Sequence, residues 1–188
     1  MSSLTEEEEN YVRMSLLLTG LLPRAVRALF DKEFPPINLP SILTKNSNSL
    51  LLLQKSKVIN QSQWNLMFPH RPCVADSKKF DVTLMICLMR NLTSITPPAL
   101  GFDHLPSTGD TTPGADLARI KCYRNDFAHL NDNKIDISYF TTAWNDISDV
   151  VGRLGGSSMH NECQNLKTKI LDKSNHEILL EMKNCKEE

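Results

Sequence analysis

Apolar residues at Tyr11, Met14, Leu18, Leu21, Ala25 and Leu29 recur every three or four positions, the beat of one helix face. Ahead of them Thr5 and Glu8 form a capping box, and Glu6 to Glu9 put negative charge where the helix dipole favours it. A first helix is expected from Thr5 to about Phe34, kinked or split at Gly20 and Pro23 and stopped by Pro35-Pro36. Residues 45–57 and 60–68 predict two shorter helices, the second carrying Trp64, Met67 and Phe68, with Trp64 assigned to the core; Pro69 and Pro72 then force a loop. Phe80 to Leu92 is apolar nearly all round, as in a central helix covered on several sides. Its Val and Ile content also permits a strand, although 13 residues is long for one.

Thr96 to Gly114 is rich in proline and glycine and predicts a long irregular loop packed onto the surface, delivering the chain to an N-cap at Thr111-Thr112. From Ala115 to Leu130, Leu117, Ile120, Tyr123 and Phe127 share one side, Arg124 lies at its edge, and Asn125 and His129 stand on another flank; Asn131-Asp-Asn133 stops the helix. Phe140, Trp144, Ile147, Val151 and Leu154 give a 4-3-4-3 stripe closed by Gly155-Gly156. Residues 159–171 form a weaker helix, and Ser174 with Glu177 opens a last one through about Asn184. No repeat of 20–50 residues is visible, which argues against a solenoid.

These elements, with 7 Gly against 10 Pro, define an all-α protein. Its 188 residues, 40% hydrophobic, suit one helical bundle over 1–156, with 157–188 as a helical extension or connector to further domains. The net charge of −1 gives no global basic field, so any contact with nucleic acid is local. Such a place exists at Arg119, Lys121 and Arg124, opposed within 117–130 by Asp126 alone. Five scattered cysteines without a Cys-x-x-Cys fit reduced thiols and a cytoplasmic location. The acidic N-terminus is unlike a secretory signal, and the run Leu16 to Leu22 is too short for a bilayer, so no membrane partner is expected. The sequons at Asn60 and Asn91 are then chance matches.

Arg124-Asn125-x-x-x-His129 is the candidate chemistry. A guanidinium binds phosphate and stabilises a pentacoordinate transition state, while an imidazole moves protons near neutral pH. Together they suffice for metal-free RNA cleavage by the 2′-hydroxyl. Arginine and histidine five apart diverge by about 140° on a continuous helix, so either the helix loosens near its end or a second copy completes the site. Asn125 and His129 are i and i+4, placing Asn125 to orient the imidazole. The bland alternative pairs Arg124 with a carboxylate, such as Asp81 or Asp146, and leaves His129 as a helix cap. His70-x-x-Cys73 and His160-x-x-Cys163 have ligand-like spacing but lie about 90 residues apart, and no metal is expected. No phosphate loop or nucleophile elbow occurs, and Gly152-Arg-Leu-Gly-Gly156 reads as a helix cap.

The same residues resemble the HEPN superfamily (higher eukaryotes and prokaryotes nucleotide-binding), whose R-x(4–6)-H motif with a polar residue after the arginine is matched by Arg124-Asn125-x-x-x-His129. Leu22 to Phe30, Phe34-Pro-Pro36, Gln63-Trp64, Phe68-Pro69, Phe80 to Leu84, Arg90-Asn91, Pro97-Pro98, Ala115-Asp116, Arg119-Ile-Lys121 and Tyr123-Arg-Asn125 are similar to one branch. That branch stands at the front of a DAZ-interacting zinc-finger RNA-binding ubiquitin ligase and of animal proteins carrying death-fold, NACHT or TPR modules. The resemblance covers roughly residues 10–156, with Phe102 where the branch usually has Trp.

It implies an antiparallel helical bundle that dimerises so that two motifs face one another, acting on single-stranded or looped RNA as a metal-independent endoribonuclease without a cofactor. Carried over, Arg124 stabilises phosphate charge, Asn125 positions the site and His129 moves the proton; from the local positive charge, Arg119 and Lys121 are expected to contact RNA. The competing expectation is a non-catalytic dimerisation and protein-interaction module of a larger signalling or ubiquitin-ligase-type protein. A nucleotide-binding role, as the superfamily's name suggests, is a third.

Overall fold

The structure, a computed structural model, describes residues 4–171, and among these every regular element is helical. In chain order the α-helices are α1 Glu6–Leu16, α2 Leu22–Glu33, α3 Leu39–Lys45, α4 Ser47–Lys55, α5 Gln61–Met67, α6 Val82–Leu92, α7 Pro113–Ala128, α8 Ile137–Gly155 and α9 Ser157–Thr168. The helix expected to open at Ser174 lies outside the described residues. Two compact units are present among the described residues, 4–25 with 98–171 and 26–97, and the division falls inside α2.

In the first unit α1 starts on the expected capping box: the Thr5 hydroxyl accepts from the Glu8 N–H at 3.3 Å, and the Glu8 carboxylate accepts from the Thr5 N–H at 3.1 Å. The interruption expected at Gly20 and Pro23 does not break the rod. Leu17–Leu21 widens into a π turn, and the Leu22 N–H reaches back to the Leu17 carbonyl before α2 continues. Pro23 has no N–H to give the preceding turn, and a π turn takes up that mismatch.

Helices α7 and α8 are antiparallel, because Asp116 meets Arg153, Tyr123 meets Asp146 and Asp126 meets Tyr139. The α8–α9 pair is antiparallel too, with His160 Nδ1 3.0 Å from the Ser148 carbonyl and Lys167 donating to Asn145 at 3.3 Å. The break expected after Gly156 is thus a tight turn at the left-handed Gly156 (φ 90), and α9 folds back with Cys163 fully buried. Helix α1 clamps the α7–α8 connection: Asn10 Nδ2 donates to the Ile135 carbonyl at 3.2 Å, the Ile135 N–H donates to the Glu7 carbonyl at 3.1 Å, and Tyr11 stacks on Phe127 at 4.7 Å.

At the α8–α9 corner a Cβ on Gly155 would stand 2.3 Å from Met159 Sδ and 3.3 Å from the Ala25 Cα. The methionine can swing aside but the Ala25 backbone cannot. Gly155→Val is therefore expected to destabilise the protein by about 1–3 kcal/mol, read as a lowered midpoint in thermal unfolding.

In the second unit Arg27 of α2 donates from Nε to the Ser77 carbonyl and from Nη2 to the Phe80 carbonyl, both at 3.0 Å, and Phe30 packs edge-on against Phe80 at 5.8 Å. Asp81 caps α6 by accepting the Leu84 N–H at 2.6 Å, and α6 buries Val82, Leu84, Met85, Ile86, Leu88 and Met89. The strand alternative for this segment does not arise: the run is long enough for a helix and begins on a cap. Helix α3 was not legible in the pattern, since it is short and begins at Leu39-Pro40, a proline position that suits a first helical turn. Trp64, expected in the core, is half-buried and packs on Phe68 with ring centroids 4.5 Å apart.

Candidate functional site

Helix α7 presents its two sides as its periodicity requires. Leu117, Ala118, Ile120 and Tyr123 are buried, Phe127 is half-buried against Tyr11, and Arg124 is half-buried at the edge. Asn125, Ala128 and His129 are exposed. The Tyr123 hydroxyl donates to the Asp146 carboxylate, and burial first, with that carboxylate second, holds the phenol well above its ordinary range.

His129 is the C-cap of α7, with φ −95 and ψ 2, and its N–H is shared between the carbonyls of Asn125 at 3.2 Å and Asp126 at 3.1 Å. Its ring Nδ1 lies 2.7 Å from the same Asn125 carbonyl oxygen. A carbonyl only accepts, so Nδ1 carries the hydrogen, and the neutral ring has its lone pair on Nε2. Asn125 does orient the imidazole, but through its main chain instead of its carboxamide. The capping role and the proton-transfer role are therefore compatible, since one nitrogen closes the helix and the other keeps its lone pair on an exposed residue.

The local positive charge is smaller than the sequence suggests. Arg119, expected to contact RNA, is only 3% exposed; it donates to Asp116 Oδ1 at 3.2 Å and to the Ser107 carbonyl. Asp116, 1% exposed, also accepts Arg153 through Nε at 2.9 Å and Nη2 at 2.6 Å. Arg119 is thus interior structure that fastens the 98–112 loop to α7, and it is not available to a ligand. The position three residues after Asp116 was the signal for this pair. Lys121 remains on the exposed side and pairs with Asp103. A surface pair of this kind is worth about 0–1 kcal/mol, so a phosphate can take the ammonium over.

Other candidate groups are dispersed. His70 and Cys73 are exposed on a turn closed by the Cys73 N–H to the His70 carbonyl at 3.0 Å, whereas Cys163 is buried and burial pushes its thiol up to about 11. Among the described residues no three His, Cys, Asp or Glu side chains gather in a metal-binding group, and Cys73, Cys87, Cys122 and Cys163 are unpaired thiols. No helix among them is long and apolar enough to cross a membrane.

The chain is 29% identical to the E3 ubiquitin-protein ligases DZIP3 of Mus musculus and of Homo sapiens, over 134 residues that make up 69% of this chain and 11% of each ligase. It therefore spans about a tenth of the length of these relatives. No solved structure matches it. A family model described as DZIP3/hRUL138-like HEPN matches residues 36–178, well over half of the sequence and including α7 with its whole Arg124-to-His129 motif, and the chain belongs to that HEPN family.

Proposed function

We propose that this HEPN domain binds single-stranded or looped RNA at the exposed C-terminal end of α7 and cleaves it without metal, as a homodimer that brings two motifs to one phosphate. The observation that carries this reading is the 2.7 Å bond from His129 Nδ1 to the Asn125 carbonyl, which fixes the ring and leaves the lone pair on Nε2 of an exposed residue. Nε2 removes the 2′-hydroxyl proton and O2′ attacks the adjacent phosphorus. The P–O5′ bond then breaks, leaving a 2′,3′-cyclic phosphate, while an imidazolium returns a proton to O5′. Arg124 stabilises the added phosphate charge, the Asn125 carboxamide positions the phosphate, and Lys121 lends a rim contact. Arg124 and His129 diverge on one helix, so the second copy supplies the complementary group. Free thiols on the described residues suit a reducing cytoplasm.

The second reading, an assembly module, draws on the relatives being ubiquitin ligases of which this chain matches a small share. Incubating labelled RNA with the protein in EDTA separates the two. Cleavage to 2′,3′-cyclic ends, lost in Arg124→Ala and His129→Ala while light scattering shows an unchanged dimer, is the expected result. A folded dimer that leaves every RNA intact rules out catalysis and leaves assembly.

A further inference from the structure

The near-neutral charge of the chain is an average over two opposite halves. Residues 26–97 carry nine Lys and Arg against four Asp and Glu, a net +5, whereas the whole chain is −1. From Phe34 to Ala75 there is no carboxylate at all, only Lys45, Lys55, Lys57 and Arg71 among eight Asn and Gln. All four cations are exposed.

Within this unit the turn between α4 and α5 forms an open cleft of about 550 Å³, lined by Gln54, Lys55, Lys57, Ile59, Asn60 and Gln61. The Gln54 amide donates to Gln61 at 2.9 Å on its wall, and Gln61 donates in turn to Asn65 at 2.8 Å along α5. Lys57 stands where the backbone turns left-handed, φ 61, with the Lys57 N–H on the Gln54 carbonyl at 2.9 Å and the Val58 N–H on the Leu53 carbonyl at 2.9 Å. This is a Schellman end, whose left-handed position glycine fills at least cost. Here a lysine occupies it and bears the strain. Three residues beyond Gln61 on α5, Trp64 is half-buried beside Phe68, leaving part of an aromatic pair open.

Ammonium groups for phosphates, amides for base edges and a partly open indole are the components of single-strand recognition. We propose that the α4–α5 cleft is a second RNA contact, with Lys55 and Lys57 on successive phosphates and Trp64 as the stacking surface for a base. It rests on the reading of the ligand as RNA given above, and it assigns affinity to this unit while the α7 motif supplies chemistry. An acidic peptide would meet the charge but supplies no planar base to stack on the indole.

The test is fluorescence anisotropy of the whole chain with a short labelled 2′-O-methyl RNA, which cannot be cleaved, titrated across salt. Wild type is expected to bind, and Lys55→Gln/Lys57→Gln to flatten the slope of log K against log salt by about 1.4, since each single-strand phosphate contact contributes about 0.7. Lys57→Gly should lose about half of that slope change while melting no lower than wild type, because glycine relieves the turn. RNA should quench Trp64 emission, a signal absent in Trp64→Phe and separable from Trp144, which is fully buried. Wild-type binding with an unchanged slope in the double variant overturns the cleft and leaves the α7 reading intact. Absence of any wild-type binding overturns both, and competition by poly-glutamate as strong as by RNA overturns base recognition at the cleft.

Discussion

Asp116→Ala is expected to lower the unfolding free energy by about 3–5 kcal/mol, the cost of leaving a buried partner charge uncompensated. The carboxylate is 1% exposed and answers two guanidiniums, of which Arg119 is 3% exposed and Arg153 retains a third of its side-chain surface. Without the carboxylate Arg153 can turn to water, but buried Arg119 keeps the Ser107 carbonyl and only the more distant charge of Asp110 among the described residues. Urea unfolding measures the loss, and the double variant Asp116→Leu/Arg119→Met should recover most of it, since an apolar replacement of a buried pair is often near neutral. If Asp116→Ala unfolds within about 0.5 kcal/mol of wild type, the effect of an ordinary surface change, the interior arrangement at the start of α7 is wrong.

His129→Asn should lower RNA cleavage by about 10²–10⁴-fold, the usual share of a general base, without a matching loss of stability. An asparagine carboxamide offers an N–H to the Asn125 carbonyl, as Nδ1 does, and asparagine is well tolerated at a helix end. It has no basic nitrogen in place of Nε2. His129→Ala removes both functions and cannot tell them apart. Comparing single-turnover rates and melting curves of the two variants therefore separates the cap from the base, and retention of the wild-type rate by His129→Asn excludes proton transfer at this residue.

Most of the helices were legible from their apolar stripes, and Thr5 and Thr112 also marked where two of them begin. Thr5, Asp81, Thr112 and Asp136 all accept N–H groups of the following turn, and the stripes after them point inward. What could not be read depends on contacts far along the chain or on main-chain geometry. The burial of Arg119 needs Asp116, Arg153 and the Ser107 carbonyl in one place, and the spacing of three residues from Asp116 signals the pair without signalling that it is buried. That Asn125 acts through its carbonyl follows from where the helix ends, at Ala128, one residue before the imidazole. The π turn at Leu17–Leu21 was visible only as an expected break, because Gly20 and Pro23 signal an irregularity without saying how it is absorbed.

The clamp that α1 places on the α7–α8 connection bears on how such a module can be moved between proteins. The family match begins at residue 36, yet Asn10, Tyr11 and the Glu7 carbonyl, all upstream of it, hold Ile135 and Phe127 on either side of His129. A gene fusion or exon boundary drawn at the start of the match would carry the motif away without the helix that steadies its end. The portable piece is therefore longer than the recognisable one, and a chimaera inherits working geometry only if the acidic leader of α1 travels with it.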